Sequence, residues 1–177
     1  GDPDQDVNVS LIVDGSGSVS GNEYGEQIQT IQNVINDLRA DFTGSVADVE
    51  VQLVQFASSA SSTTWDLFDA TLDDVTTGTN LVPQTNGVTN YEAALDQAVN
   101  FFTGQGSDEN VMLFLSDGSP NSGGPYVDEV AELEALNVFR EADGFGPGCN
   151  VAALNDIDSD GDAQCVTQAS ELDGVID

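Results

Sequence analysis

Residues 7–21 read VNVSLIVDGSGSVSG, and the character of the chain changes at Asp14. From Val7 to Val13 the residues first alternate and then run apolar without a break, the pattern of a β-strand entering a sheet that is covered on both faces. Asp14 ends that run, and the Gly and Ser cluster behind it reads as a tight turn that its glycines permit. The turn carries one carboxylate and two hydroxyls, those of Asp14, Ser16 and Ser18, at alternate positions, so that three oxygens can converge. Beyond it, Tyr24, Ile28, Ile31, Ile35, Leu38 and Phe42 recur at three- and four-residue steps, which is one face of an amphipathic helix.

Working outward, Val49, Val51 and Leu53 alternate with Glu50 and Gln52 and predict a second strand through Phe56. Ser62 to Leu67 predicts a third strand, paired with it as a hairpin. A polar stretch from Asp73 to Thr89 follows, and then Tyr91, Leu95, Val99 and Phe102 mark another helix. Val111 to Leu115, VMLFL, is the pattern of a central parallel strand, and it too runs into a carboxylate, Asp117. Tyr126, Val130, Leu133, Leu136 and Phe139 predict a helix after Pro125. Asn150 to Leu154 predicts a short strand, and Val166, Leu172 and Ile176 predict a final helix. The alternation implies a doubly wound, mostly parallel α/β sheet with one antiparallel edge strand and helices on both faces. In such sheets ligands gather beyond the carboxyl ends of the strands, where Asp14 and Asp117 are expected to lie outside the core.

Composition narrows the function. The 177 residues, 39% of them apolar, fit one domain spanning 1–177 around one core. No apolar run approaches the roughly 20 residues that cross a bilayer, so no direct membrane insertion is expected. The acidic, turn-forming ends suggest a module taken from a longer polypeptide. Thirty-two Asp and Glu stand against two basic residues, Arg39 and Arg140, for a net charge of -30. That field repels nucleic acid, attracts cations, and needs salt or bound ions to damp it. Seawater, the Ca²⁺-rich cell exterior and the cytoplasm of a halophile all supply such damping, and charge alone does not choose among them. Cys149 and Cys165 either close a short loop as a disulfide or remain two buried thiols. The irregular segment between them favours the disulfide and an oxidising, extracellular compartment.

The pentapeptide Asp14-Gly-Ser16-Gly-Ser18, within VNVSLIVDGSGSVSG, resembles the DxSxS motif of the von Willebrand factor A family. The metal-ion-dependent adhesion site of that family also needs a later Thr and a later Asp. Thr89 stands within GVTNYEAAL (87–95), just ahead of a helix, and Asp117 within MLFLSDGSPN (112–121), just after the buried strand. The resemblance runs from about Val7 to the end of the chain. It implies Ser16, Ser18 and Thr89 as direct metal ligands, with Asp14 and Asp117 bonding directly or through coordinated water. Carboxylate and hydroxyl oxygens are hard ligands suited to Mg²⁺, Ca²⁺ or Mn²⁺, and no His or thiolate cluster recruits a softer ion. The resemblance also implies an incompletely neutralised ion with room for an Asp or Glu of a protein partner.

The phrase FLSDGSPN and the Lys-free composition resemble A domains of large bacterial repeat-type, RTX-like adhesins. A secreted or cell-surface adhesion module, monomeric and without catalysis, is the resulting expectation. A competing one is an intracellular halophile A domain in metal-dependent complex assembly, of the kind associated with chelatases and AAA+ machines. An intact Cys149–Cys165 bridge counts against it. Hydrolysis at the metal would require a general base, and the chain has neither His nor Lys.

A second acidic run, Asp156-Ile-Asp158-Ser-Asp160-Gly161-Asp162, has the DxDxDG spacing of a calcium loop. An EF-hand would carry Glu at the twelfth position, where Thr167 stands, and a predicted strand rather than a helix enters the run. A calcium loop and a solvated acidic loop are both open, on the same side of the sheet as Asp14 and Asp117. Trp65, Phe101 and Phe102 read as packing, and the loop with Pro120, Gly123, Gly124 and Pro125 as a connector.

Overall fold

The strand that opens the sequence, β1 (Val7–Asp14), is buried at every position. A computed structural model describes residues 5–76, 84–105, 109–117 and 119–172. Within them, β2 (Val49–Phe56), β3 (Ala60–Asp66), β4 (Glu109–Ser116), β5 (Val138–Phe145) and β6 (Cys165–Val166) join β1 in one sheet of order β3-β2-β1-β4-β5-β6. Every pairing is parallel except that of β2 with β3, which makes the predicted antiparallel edge. The helices are α1 (Gly21–Phe42), α2 (Ala70–Thr76), α3 (Tyr91–Thr103), α4 (Val127–Ala135) and α5 (Val151–Asn155), followed by a 3-10 turn at Ala169–Leu172.

The period of two in β1 divides the apolar residues into two layers rather than one core. Val9, Leu11 and Val13 pack with Ile28, Ile31, Ile35 and Leu38 of α1 on one face. Ile12 joins Leu95 and Phe102 of α3, Phe114, Leu133 and Leu154 on the other. Burial of each such Leu or Ile side chain contributes on the order of 2 kcal/mol. Toward the start of β1 that second face is polar and internally paired. Asn8 donates to Asn110 at 3.0 Å, and Ser10 to Gln52 at 2.7 Å.

Side chains cap the starts of helices, as Asp69 does for α2 by accepting from the Thr71 amide. Ser20 accepts from the Glu23 amide and donates its hydroxyl to the Glu23 carboxylate, which starts α1 immediately after the glycine turn. Asn90 caps α3 and Asn150 caps α5, each accepting from the amide three residues on.

Three sequence expectations are overturned. Phe139 does not continue the helix of Val130 and Leu133: α4 stops at Ala135, Asn137 takes the left-handed conformation at φ 56°, and the chain enters β5. Asn150 to Leu154 is the capped helix α5 and not a strand. Val166 lies in β6 while Leu172 lies in the 3-10 turn, and Ile176 is outside the described residues. The polar stretch after Asp73 begins inside α2, which places Leu72 in the core, and residues 77–83 are likewise outside the described set.

Candidate metal site

From β1 the chain winds outward to β2 and β3, then crosses back over β1 to add β4, β5 and β6. The loops leaving β1 and β4 therefore diverge, and the crevice between them is where such sheets take ligands. Register puts Val13 beside Leu115, so Asp14 is level with Ser116, one residue before Asp117.

Asp14 has no exposed surface, contrary to the expectation that it lies outside the core. Its Oδ2 accepts from the Ser116 hydroxyl at 2.6 Å and its Oδ1 from the Ser16 amide at 2.8 Å. Ser116 in turn accepts from the Tyr91 hydroxyl at 3.1 Å. Gln27 of α1 bonds the Asp14 backbone in both directions, at 2.8 and 3.1 Å, and ties the turn to the helix. The turn oxygens continue as a chain: Thr89 donates to Ser16 at 2.9 Å, the Ser16 and Ser18 hydroxyls lie 3.2 Å apart, and Ser18 donates to Asp117 at 3.1 Å. The five residues singled out from the motif are thus brought together.

Thr89 is clasped by the loop after β4. Its amide donates to the Asn121 side chain at 2.7 Å, and its carbonyl accepts from the amides of Asn121 and Ser122. The Gln84 side chain donates to the carbonyls of Ser16 and Val19. Gly87 accepts from the Gly17 amide at 2.8 Å; its φ is 107°, and a Cβ there would lie 2.6 Å from the Ser58 hydroxyl. Only glycine fits this bend without strain.

Burial raises the pKa of Asp14, opposed by the hydrogen bonds from Ser116 and Ser16. Burial, with the charge of Asp14 next, pushes Asp117 up to about 6, opposed by Ser18. Neither arginine relieves this repulsion. Arg39 bonds Asp73 and the Leu67 and Asp69 carbonyls, and Arg140 bonds the Ile157 and Val138 carbonyls. Two close carboxylates beside three hydroxyls, with no nitrogen or sulfur donor, fit a hard divalent cation such as Mg²⁺, Ca²⁺ or Mn²⁺.

Ser116, Tyr91, Asn121 and Gln27 escaped the sequence reading. The hint for Ser116 was a hydroxyl at the last position of an otherwise apolar run; the other three act across contacts that no local pattern records.

The second acidic run is not one ligand set. Asp156 accepts from the Tyr126 hydroxyl at 3.0 Å, and Asp160 is exposed. Asp158 and Asp162 instead meet Glu141 of β5. Asp158 accepts from the Ala142 amide, so the segment lies along the edge of β5 rather than beyond the strand ends, and a helix rather than a strand leads into it. Burial first, and then neighbouring carboxylates, raise the pKa of Glu141; burial likewise raises that of Asp143. Cys149 and Cys165 are joined by a disulfide, with Cα atoms 5.9 Å apart.

The family model of the von Willebrand factor type A domain matches residues 8–176. Among solved structures, proximal thread matrix protein 1 from the mussel byssus, with a zinc-occupied MIDAS motif, is 22% identical at a TM-score of 0.75, over 97% of this chain and 46% of that one. A von Willebrand factor type A protein from Catenulispora acidiphila is 18% identical at 0.72, over 95% and 40% of the two chains. The manganese-loaded TRAP protein of Plasmodium vivax is 21% identical at 0.71, over 98% and 73%. The present chain spans less than half the length of the first two. At these identities the likeness is one of fold. No curated protein matches the sequence.

Proposed function

Because the chain belongs to the von Willebrand factor type A family, we propose that it is a divalent-cation-dependent adhesion module whose metal-ion-dependent adhesion site is Asp14, Ser16, Ser18, Thr89 and Asp117. The observation that carries this reading is the hydrogen-bonded chain of oxygens from Thr89 through Ser16 and Ser18 to Asp117, with Asp14 bound to the Ser16 amide. In it, Ser16, Ser18 and Thr89 serve as direct ligands, and Asp14 and Asp117 bind directly or through water. Ser116 and Tyr91 orient Asp14, and Asn121 holds Thr89 in place. A bound Mg²⁺, Ca²⁺ or Mn²⁺ supplies a positive centre with an exchangeable water position, open to an acidic side chain of a protein partner. The zinc in the mussel protein and the manganese in TRAP support a divalent ion here, and the all-oxygen donor set supports Mg²⁺ or Ca²⁺ as the resident one.

The disulfide supports a secreted or cell-surface location, because thiols are kept reduced in most cytosols, and it weighs against the intracellular assembly reading. The acidic, Lys-free composition supports a parent of the RTX-like adhesin kind. A monomeric, non-enzymatic module that avoids nucleic acid follows from the same charge and from a site with no His or Lys to act as a base. Among the described residues no helix is long and apolar enough to cross a membrane.

Calorimetric titration with Mg²⁺ tests the site. Asp117→Ala loses Mg²⁺ binding and melts as the parent does, while Ser18→Ala weakens binding without abolishing the fold. Parent affinity in both variants would remove the assignment.

A further inference from the structure

A second group of acids lies away from these five residues. Glu141 and Asp143 are two apart on β5 and so share a face of the sheet with Phe145, which packs in the α1 layer. The segment 158–164 runs beside that strand and fills its edge: Ser159 donates to the Arg140 carbonyl, Ala142 donates to Asp158, and Gly144 donates to the Gln164 carbonyl, at 2.8 to 3.0 Å. This course lays Asp158 and Asp162 against Glu141. One carboxylate oxygen from each of the three lies within 4.8 Å of the others, which is the spread of ligands around a cation held at roughly 2.4 Å.

Asp143 supplies an independent observation. It has no exposed surface, and its Oδ1 accepts from the Gln164 amide at 2.9 Å. Its Oδ2 is buried, and among the described residues no amide or hydroxyl donates to it; the group paired with this carboxylate is the carboxyl of Glu141, and the charges nearby are those of Asp158 and Asp162. Two buried carboxyl groups so paired must share either a proton or a cation. Arg140, next to Glu141 in sequence but on the opposite face, donates to the carbonyls of Ile157 and Val138 instead.

We propose that Glu141, Asp143, Asp158 and Asp162 bind a structural Ca²⁺ that pins the segment 158–164 to the edge of β5. Ca²⁺ accepts six to eight oxygens in flexible geometry, whereas Mg²⁺ demands a small octahedron and retains its water, so four crowded carboxylates suit the larger ion. The segment is shaped for the task. Amides of Asp160, Gly161 and Asp162 converge on Asp158 Oδ1, Gly161 makes the bend at φ 69°, and the disulfide closes the loop that holds both aspartates.

The test is Ca²⁺ titration and melting of the full chain, with Asp117→Ala as background so that ions at the adhesion residues do not count. That background binds one Ca²⁺ and melts higher with Ca²⁺ than with a chelator. Adding Asp162→Asn weakens the binding about tenfold or more. Adding Glu141→Gln removes the Ca²⁺ increment and leaves melting in chelator at or above that of the background, since a neutral amide can donate to Asp143. If Glu141→Gln fails to fold, the exposed Asp162 decides alone. Parent stoichiometry and melting shift in the variants, or an equal shift with Mg²⁺, would overturn the proposal. Mg²⁺ binding that persists in Asp117→Ala and is unchanged by adding Asp162→Asn would count against the adhesion-site reading and leave this one standing.

Discussion

Carboxylates crowd together at two places in this domain, and they are held there by different means. At the ends of β1 and β4, neutral hydroxyls stand between the acids: Ser116 donates to Asp14 and Ser18 donates to Asp117. Beside β5 the acids face one another: Asp143 is paired with the Glu141 carboxyl, and among the described residues no amide or hydroxyl donates to its Oδ2. The first arrangement keeps its geometry through hydrogen bonds whether or not an ion is held, which suits a site that exchanges ligands. The second has backbone amides on Asp158 and Asp143 but no neutral side chain between its acids, and on the proposal above a cation takes that place, which suits a permanent one. The same side-chain chemistry therefore serves exchange or anchoring according to which neighbours carry protons.

The sharpest way to break this contrast is to open the disulfide. Replacing Cys149 and Cys165 together with Ala releases a loop of sequence separation 16 and lowers stability by about 3 kcal/mol. Because that loop carries Asp158 and Asp162 but none of the five adhesion residues, Ca²⁺ binding in the Asp117→Ala background weakens, while Mg²⁺ binding to the otherwise native chain is unchanged. Equal losses of both, by calorimetry, would mean that the two places are mechanically coupled. A smaller loss is expected from Ser116→Ala, which takes a donor from Asp14 and an acceptor from the Tyr91 hydroxyl and costs roughly 1 to 3 kcal/mol. Here the selectivity reverses: Mg²⁺ affinity falls and the Ca²⁺ melting increment stays. Smallest is Asn150→Ala, which removes the cap of α5 at a cost of about 1 kcal/mol and loosens the approach to Asp158. Hydrogen exchange slows less at residues 151–158 in this variant than in the parent when Ca²⁺ is added; an unchanged response would uncouple α5 from the acidic edge.

The fold was legible wherever burial and pattern agreed. β1, α1, β2 and β4 carry apolar residues at the period of their element, and the antiparallel β3 followed from its hairpin. β5 was hidden because Arg140, Glu141 and Asp143 are buried in the middle of the strand; a rule that reads inward-facing positions as apolar misses a strand whose inward positions are charged. α5 was misread because an apolar run this short has no measurable period, and only its Asn cap decides the outcome. At the candidate metal site the motif spacing picked out Asp14, Ser16, Ser18, Thr89 and Asp117, since a turn and two strand ends are local features. Asn121, which grips Thr89, and Glu141, which meets Asp162, come from other parts of the chain, where only the folded structure supplies proximity.

The two arginines lead to one more consequence. Arg39 is engaged with Asp73 and two carbonyls, and Arg140 is buried with its guanidinium on the carbonyls of Ile157 and Val138. Neither is free to meet a partner, and the chain has no lysine or histidine to take their place. On the proposed function, the sign of the contact surface is then written by the surrounding medium and not by the gene: the patch is repulsive to an acidic ligand when free divalent ions are scarce and attractive when they are plentiful. On that proposal the domain is a coincidence detector, engaging only where ligand and ion arrive together.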